Sequence, residues 1–306
     1  MKHPFLFTAL AATLIAGTAS ADTVYVTETG GNYVTEINGT EQTEIGNGYL
    51  QGPTGLVFDS AGDLFVANGQ NGTITEFNSS GGYDTTIDAG LSSPRGMAID
   101  SAGDIYVANQ NIGTITKLTD NGGVYTASTF ATGLTTPNDI AINAVGDLYV
   151  TNGLPGNYIT EITPGGVKEP FAIAGEQLNG PNGIVFGPND DIYVVNRVTS
   201  DVEKIDAAGV GTTYLAAGSL DAPKNLVFDS FGDLYVTDSG DNEVTEYNPQ
   251  GQLIETFSDL AGPCFITTQD ADTFSVPEPS TYALLLAGGA ALFFLHRRRT
   301  LVPIQF

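Results

Sequence analysis

Residues 53–68 read PTGLVFDSAGDLFVAN, and residues 94–109 repeat the line as PRGMAIDSAGDIYVAN. It returns from Pro137 (PNDIAINAVGDLYVTN), Pro181 (PNGIVFGPNDDIYVVN) and Pro223 (PKNLVFDSFGDLYVTD), and in part from Pro263 (PCFITTQDADTFSV). Successive prolines lie 41, 43, 44, 42 and 40 residues apart. A period of roughly 40–50 residues made of short strands and glycine turns is that of β-propeller blades. Each unit predicts four strands. The apolar triplet Leu56-Val57-Phe58 is strand A, and a DSAGD-type turn leads to strand B at Leu64-Phe65-Val66. The alternation at Ile74–Phe77 suits a half-buried strand C, and a ragged strand D closes the unit.

Between Asp22 and Val276 there are 255 residues, about six units of this length, which predicts an all-β, six-bladed propeller. Five units lie whole between Pro53 and Gly262. The sixth must be split. Pro263–Thr268 supplies its strand A, and Thr23–Asn38 (TVYVTETGGNYVTEIN) matches the B–C stretch of the other units. Joining the two ends in one blade removes an open sheet edge. Phe274–Val276 also reads as a strand B, but the N-terminal segment is favoured because it continues into strand C. The repeat line resembles that of NHL-type repeats, and the resemblance spans nearly the whole region 22–276. It implies a propeller, and because such propellers include binding scaffolds as well as enzymes, it does not imply a function.

The two ends read as addresses. Residues 1–21 carry Lys2, the apolar run Phe5–Ile15 and the small-residue site Ala19-Ser20-Ala21, which is the order of a secretory signal peptide removed by signal peptidase. Residues 277–306 begin with Pro277-Glu278-Pro279, continue through an uncharged apolar stretch at Tyr282–Leu295, and reach Arg297-Arg298-Arg299. This order resembles the PEP-CTERM sorting signal of Gram-negative bacteria. The resemblance implies processing by an exosortase and an association with exopolysaccharide-producing cells. The apolar stretch is expected to enter the membrane as a helix at least transiently, with the arginines on the cytoplasmic side and everything before Val276 outside.

The whole chain has 306 residues, 35 acids against 10 bases and a net charge of −25. Without Lys2, Glu278 and the three arginines, residues 22–276 keep 34 acids and six bases, a net charge of −28. Such a charge repels phosphate backbones and argues against nucleic-acid binding. One cysteine makes no internal disulfide, and the two histidines, His3 and His296, lie at opposite ends of the chain.

Strand A of a propeller blade lines the central channel. The residues after the prolines, Thr54, Arg95, Asn138, Asn182, Lys224 and Cys264, are therefore expected to ring one mouth, joined by Asn68, Asn109, Asn152, Arg197 and Asp238 from the B–C loops. Pro137-Asn138-Asp139 and Pro181-Asn182-Gly183 are similar to stretches of the gluconolactonase/regucalcin family, which implies a metal-dependent lactonase in which such asparagines bind a divalent metal. The aspartate that family supplies later is replaced here by Lys224, which repels a dication, and Glu28 is the nearest candidate for its N-terminal glutamate. A streptogramin-lyase-like activity, also found on a propeller of this repeat style, relies on a histidine base, and residues 22–276 contain none.

Of the six cations in this region, Arg95, Arg197 and Lys224 fall on the mouth face, where such a cluster suits a carboxylate, a sulfated sugar or an acidic loop. On the opposite face the A–B turns carry Asp59/Asp63, Asp100/Asp104, Asn143/Asp147, Asp190/Asp191 and Asp229/Asp233. These read either as weak Ca²⁺ ligands or, preferably, as turn caps followed by glycine at positive φ. Cys264 reads as a small core residue. The expectation is an exported, non-enzymatic surface or matrix scaffold without a cofactor. It binds polysaccharide or protein through Arg95, Asn138, Asn182, Arg197 and Lys224, and the lactonase is the alternative.

Overall fold

The B strands explain the architecture. In Leu64–Asn68 every residue is buried, because both faces of the strand are covered. Leu64 and Val66 pack with Tyr25 on one side, while Phe65 and Ala67 pack with Val107 on the other. A strand covered on both faces reads as a continuous apolar run rather than an alternation. The computed structural model describes residues 22–269 except 172, 176 and 177, and within them six sheets stand side by side. The expected signal peptide 1–21, Phe274–Val276 and the sorting segment 277–306 lie outside the described residues. Among the described residues no helix is long and apolar enough to cross a membrane.

Blade 2 runs outward from the channel as Pro53–Phe58, Leu64–Asn68, Thr73–Phe77 and Tyr83–Ile87. Blade 3 is Pro94–Ile99, Ile105–Asn109, Thr114–Asp120 and Tyr125–Thr132. Blade 4 is Pro137–Ile142, Leu148–Asn152, Tyr158–Ile162 and Lys168–Phe171. Blade 5 is Pro181–Phe186, Ile192–Asn196, Asp201–Ile205 and Val210–Leu215. Blade 6 is Pro223–Phe228, Leu234–Asp238, Glu243–Tyr247 and Leu253–Phe257. Blade 1 takes strand A, Pro263–Thr268, from the C-terminal side and strands B to D, Val24–Glu28, Tyr33–Asn38 and Glu41–Ile45, from the N-terminal side. The N-terminal segment therefore fills the strand B position, as its continuation into strand C implies.

Six hydrophobic clusters hold the ring, one between each pair of neighbouring blades, including the pair formed by blades 6 and 1. Outward from them exposure rises, and Glu41–Ile45 is exposed along most of its length. Blade 5 departs from the four-strand expectation. The linker leaving blade 4 adds Ala174–Gly175 as a short fifth strand, parallel to Val210–Gly211. It caps part of an outer edge whose N–H and C=O groups otherwise face solvent unpaired.

A bulge at the start of strand A positions the channel mouth. Pro53, Pro94, Pro137, Pro181 and Pro223 each pair with the last residue of strand B, and the register then shifts before the ladder resumes. A bulge re-aims the residues it contains, here the two that follow each proline. The residue before each proline is also constrained: Gly52, Ser93, Thr136, Gly180, Ala222 and Gly262 all hold φ between 46° and 73°.

Candidate functional site

The last residue of each B strand turned out to be structural. Asn68 Oδ1 accepts a bond from the Gln51 amide at 2.9 Å, and its Nδ2 donates to Thr73 and Thr75. Asn109, Asn152, Asn196 and Asp238 accept in the same way from the amides of Ser92, Thr135, Asn179 and Asp221, at 2.8–3.0 Å. Each acceptor grips the residue two before its own blade's proline. Blade 1 follows the rule with a different side chain, since Glu28 accepts from the Ala261 amide and from Thr35 Oγ1. Asn68, Asn109, Asn152 and Asp238 are therefore buried clamps rather than mouth-facing groups. Arg197, grouped with them by its loop, sits one residue past the true equivalent, Asn196, and is exposed.

The five residues expected to bind do come together. Arg95, Asn138, Asn182, Arg197 and Lys224, with Gln110, line one depression of about 430 Å³. That volume falls within the roughly 300–1,000 Å³ of small-ligand pockets. The remaining two residues of the expected ring turn inward. Thr54 Oγ1 donates to the Pro94 carbonyl at 2.8 Å, and Cys264 is 1% exposed in the cluster between blades 1 and 2. The polar mouth therefore spans blades 3 to 6 only.

The cations divide cleanly. Lys117 pairs with Asp104 at 2.6 Å, Lys204 pairs with Asp191 at 2.7 Å, and Lys168 donates to the Thr132 carbonyl. Among the described residues Arg95, Arg197 and Lys224 form no ion pair, and all three face the same depression. Arg95 lies 6.0 Å from the Phe265 ring centroid, and its Nε is buried without a hydrogen-bond partner. Asn182 is 3% exposed, and its Oδ1 is likewise buried without a partner. Both side chains line the depression, while these two atoms themselves lie out of contact with solvent. Groups of this kind are normally satisfied.

Below the mouth lies a group that the repeat line concealed. The second residue after each proline is glycine in blades 2, 3 and 5, but Asp139, Asn225 and Phe265 in blades 4, 6 and 1. Asp139 is 5% exposed. Its Oδ1 accepts from the Ile140 amide at 2.9 Å, and its Oδ2 accepts from the Ile184 amide at 3.0 Å and Asn225 Nδ2 at 2.6 Å. Burial pushes its carboxyl up to about 7, against those hydrogen bonds and the Arg95 charge, which pull it down. Gly96 makes room for it, since a Cβ there would stand 2.0 Å from Asp139 Oδ1. The signal for Asp139 and Asn225 was in the sequence, as polar residues at a position given to glycine in three of the other four blades.

A divalent metal does not fit the residues proposed for a lactonase. Asn138 Oδ1 accepts from Gln110 Nε2 at 2.6 Å, while its Nδ2 donates to the Pro181 carbonyl at 2.9 Å. Lys224 lines the same depression, and Glu28 is committed to its clamp in blade 1. On the opposite face the A–B turns are capped as expected. Asp59, Asp100, Asn143 and Asp229 each accept, through Oδ1, from the amides two and four residues on. Gly62, Gly103, Gly146 and Gly232 follow at φ between 82° and 90°. In blade 5 the matching residues are Gly187 and Asp191 rather than Asp190 and Asp191, because Pro188–Asp190 forms a 3₁₀ turn. Asp229 and Asp233 approach Glu246 closely, and burial raises all three above the usual carboxylate range.

Comparison with solved structures finds the same fold in virginiamycin B lyase from Staphylococcus aureus, at 20% identity and a TM-score of 0.62, covering 81% of this chain and 88% of that one. That enzyme is also known as a catalytically inactive histidine-to-alanine variant with quinupristin. A chain of a nidogen/laminin complex superposes with a TM-score of 0.70 at 21% identity, covering 80% of this chain and 97% of that one. A putative gluconolactonase gives 0.58 at 13% identity, covering 70% and 80%. No protein of curated function matched the sequence. The sequence does match the virginiamycin B lyase family over residues 9–276 and the PEP-CTERM protein-sorting motif over residues 275–299. The motif implies processing by an exosortase, export and sorting to the cell surface. The family is thus the one whose activity the missing histidine argued against: the chain belongs to the virginiamycin B lyase family and ends in a PEP-CTERM sorting motif.

Proposed function

We propose that this protein is a cell-surface binding scaffold rather than an enzyme, and that its channel-mouth pocket holds an anionic ligand. The observation that carries this reading is the set of three unpaired cations, Arg95, Arg197 and Lys224, in one depression of a domain with 34 acids and six bases. In so acidic a chain, free cations gathered in one place concentrate positive potential where a ligand enters. The 1–21 signal peptide and the sorting motif deliver that pocket to the outside of the cell. The absence of lyase chemistry is supported by composition. The S. aureus enzyme is described as inactive when a histidine becomes alanine, and this chain has no histidine between His3 and His296.

The test is direct. Binding of the purified protein to a panel of anionic and neutral glycans and acidic peptides is measured beside the Arg95→Ala and Lys224→Ala variants, with Lys168→Ala as a control outside the pocket. Selective anion binding that both pocket variants lose and the control keeps supports the proposal. Anion binding that the pocket variants leave unchanged overturns it. Turnover of a streptogramin B or of a lactone would overturn the non-enzymatic part.

A further inference from the structure

We propose that the B–C loop of blade 6 binds one Ca²⁺ through the carboxylates of Asp238, Asp241 and Glu243 and the hydroxyl of Thr245, and that the ion fastens the seam where the ring closes. The site is separate from the channel-mouth pocket, which none of these residues lines.

The clamp of blade 6 differs from the others in its chemistry. In blades 2, 3 and 4 the asparagine ending strand B uses Nδ2 to reach a threonine on strand C. Asn68 donates to Thr75 at 2.9 Å, Asn109 to Thr116 at 2.8 Å and Asn152 to Thr160 at 3.0 Å. Each threonine pairs with the valine two residues before its clamp. Thr245 holds that place in blade 6, opposite Val236, but its clamp is Asp238. A carboxylate has no N–H to give. Both Asp238 oxygens instead accept from the Asp221 amide, at 2.8 and 2.9 Å. Thr245 is 4% exposed, and its Oγ1 has no hydrogen-bond partner. The Tyr247 hydroxyl lies near enough to act on it but outside hydrogen-bond geometry.

Negative charge gathers at the same spot. Where blade 2 has Thr73 beside its clamp, blade 6 has Glu243, directly across from Asp238. Asp241 joins them, and carboxylate oxygens of the three lie within 4.8 Å of one another. Among the described residues no ion pair reaches any of them. Burial, against the pull of the Asp221 amide, and then the charges of Asp241, Glu243 and Asp221 push Asp238 up to about 6. Burial and then the Asp241 charge raise Glu243 as well. Blade 6 therefore puts three acids and an unsatisfied hydroxyl where blades 2 to 4 put the positive end of an amide. A cation enters between exposed Asp241 and half-buried Glu243 and seats in the interior position that Nδ2 takes elsewhere, next to the threonine.

The donor set selects the ion. It contains oxygen only, which suits a hard cation rather than a softer transition metal. Ligands at about 2.3–2.6 Å from Ca²⁺ stand no more than about 5 Å apart, and an irregular loop suits its flexible geometry better than the strict octahedron of Mg²⁺. The place of the loop gives the ion its effect. The Gly240 amide donates to the Asp221 carbonyl at 2.8 Å, on the segment entering strand A of blade 6. Asn242 accepts from the Leu260 and Gly262 amides at 3.2 Å, on the linker that delivers the closing strand Pro263–Thr268. Fixing the loop fixes both.

The experiment titrates the full-length protein in detergent and 0.15 M NaCl with CaCl₂ and with MgCl₂, by calorimetry and by melting temperature. One Ca²⁺ is expected to bind with a Kd on the order of 10⁻⁴ M, as in extracellular modules, and Mg²⁺ at least tenfold more weakly. At millimolar Ca²⁺ the melting temperature rises by roughly 5 °C. Asp238→Asn installs the side chain that four other blades carry, restores the N–H facing Thr245 and abolishes the Ca²⁺ response. Asp241→Asn, at an exposed site, weakens Ca²⁺ at least tenfold. Glu246→Gln, in the separate group formed with Asp229 and Asp233, leaves Ca²⁺ binding within twofold. The inference is overturned by a melting temperature that Ca²⁺ does not raise, by a rise that Mg²⁺ matches, or by a response that Asp238→Asn keeps or Glu246→Gln removes.

Discussion

Ala222 holds φ at +49° immediately before Pro223, a conformation that three of the six blades assign to glycine. An L-residue there costs roughly 1–2 kcal/mol in clash between Cβ and carbonyl, part of which glycine's extra freedom in the unfolded chain offsets. Ala222→Gly is therefore expected to stabilise the protein by about 1 kcal/mol, read as a higher denaturant midpoint at unchanged slope. Thr136 carries the same strain at φ +46°, but its Oγ1 donates to the Leu154 carbonyl at 3.0 Å beside the pocket, so its replacement would trade strain for a lost contact. Asp139 supplies a second prediction at this scale. With its carboxyl raised to about 7 by burial, it is largely protonated at pH 6 and ionised at pH 8, and Arg95 is the charged group acting on it. Ionisation places a negative charge near Arg95 and opposes an incoming anion. Affinity for an anionic ligand of the pocket is expected to fall roughly fivefold from pH 6 to pH 8, a little under the tenfold that about 1.4 kcal/mol represents. Asp139→Asn should flatten that profile. A wild-type affinity that is flat across the range, or that rises, would show that Asp139 does not govern the mouth.

At the scale of the strand, the clamp at the end of strand B joins that strand to the loop that delivers strand A. Asn109 is 0% exposed, accepts from the Ser92 amide at 3.0 Å and donates to Thr114 and Thr116 at 3.2 and 2.8 Å. Asn109→Ala leaves a backbone amide and two hydroxyls without that partner, and is expected to cost about 1–3 kcal/mol in a denaturant titration. Asn109→Asp keeps the acceptor for Ser92 and should lose less, as Asp238 does the same work in blade 6. These clamps also show where sequence reading succeeds and where it stops. The proline-led line identified strands A and B because buried strands carry continuous apolar runs, and the split blade followed from counting whole units and matching the two end segments to the missing one. Period alone did not say whether Asn68 or Asn109 faces the mouth or the adjoining loop, since both readings place an asparagine after an apolar run. That ambiguity put Arg197 in the place of Asn196. The pocket residues on strand A were legible because the proline fixes their position, one residue on. Asp139 was hidden because Pro-Asn-Asp is also ordinary turn chemistry, and its burial depends on Gly96 and Asn225 from other blades. Ala174–Gly175 is too short to leave any periodic signal.

Over the whole molecule, the raised carboxyls act together on stability. Burial, followed by the charges of Asp84, Asp63, Asp59 and Asp120, pushes Glu76 up to about 7. Burial lifts Asp139 to about 7 and Asp238 to about 6, and raises Asp229, Asp233, Glu243 and Glu246 as well. In the unfolded chain these groups titrate near 4. Between about pH 4 and 7 the folded protein therefore binds more protons than the unfolded one, and stability falls as pH rises through that window. The direction is opposite to that of a protein whose carboxylates are held by salt bridges, and few cations are free here to hold them. The melting temperature is expected to be higher at pH 5 than at pH 8 by roughly 5 °C or more, at ~2–4 °C per kcal/mol for a domain of this size. Salt separates the two contributions. Raising ionic strength from 0.01 to 0.15 M shortens the screening length from about 30 to about 8 Å, which weakens repulsion across a domain of net charge −28 but leaves the burial of Asp139 unchanged. Salt should thus raise the melting temperature at pH 8 and narrow the gap between the two pH values without closing it. A gap that vanishes at 0.15 M would assign the effect to net charge alone, and a melting temperature that climbs with pH would contradict the burial of these carboxyls.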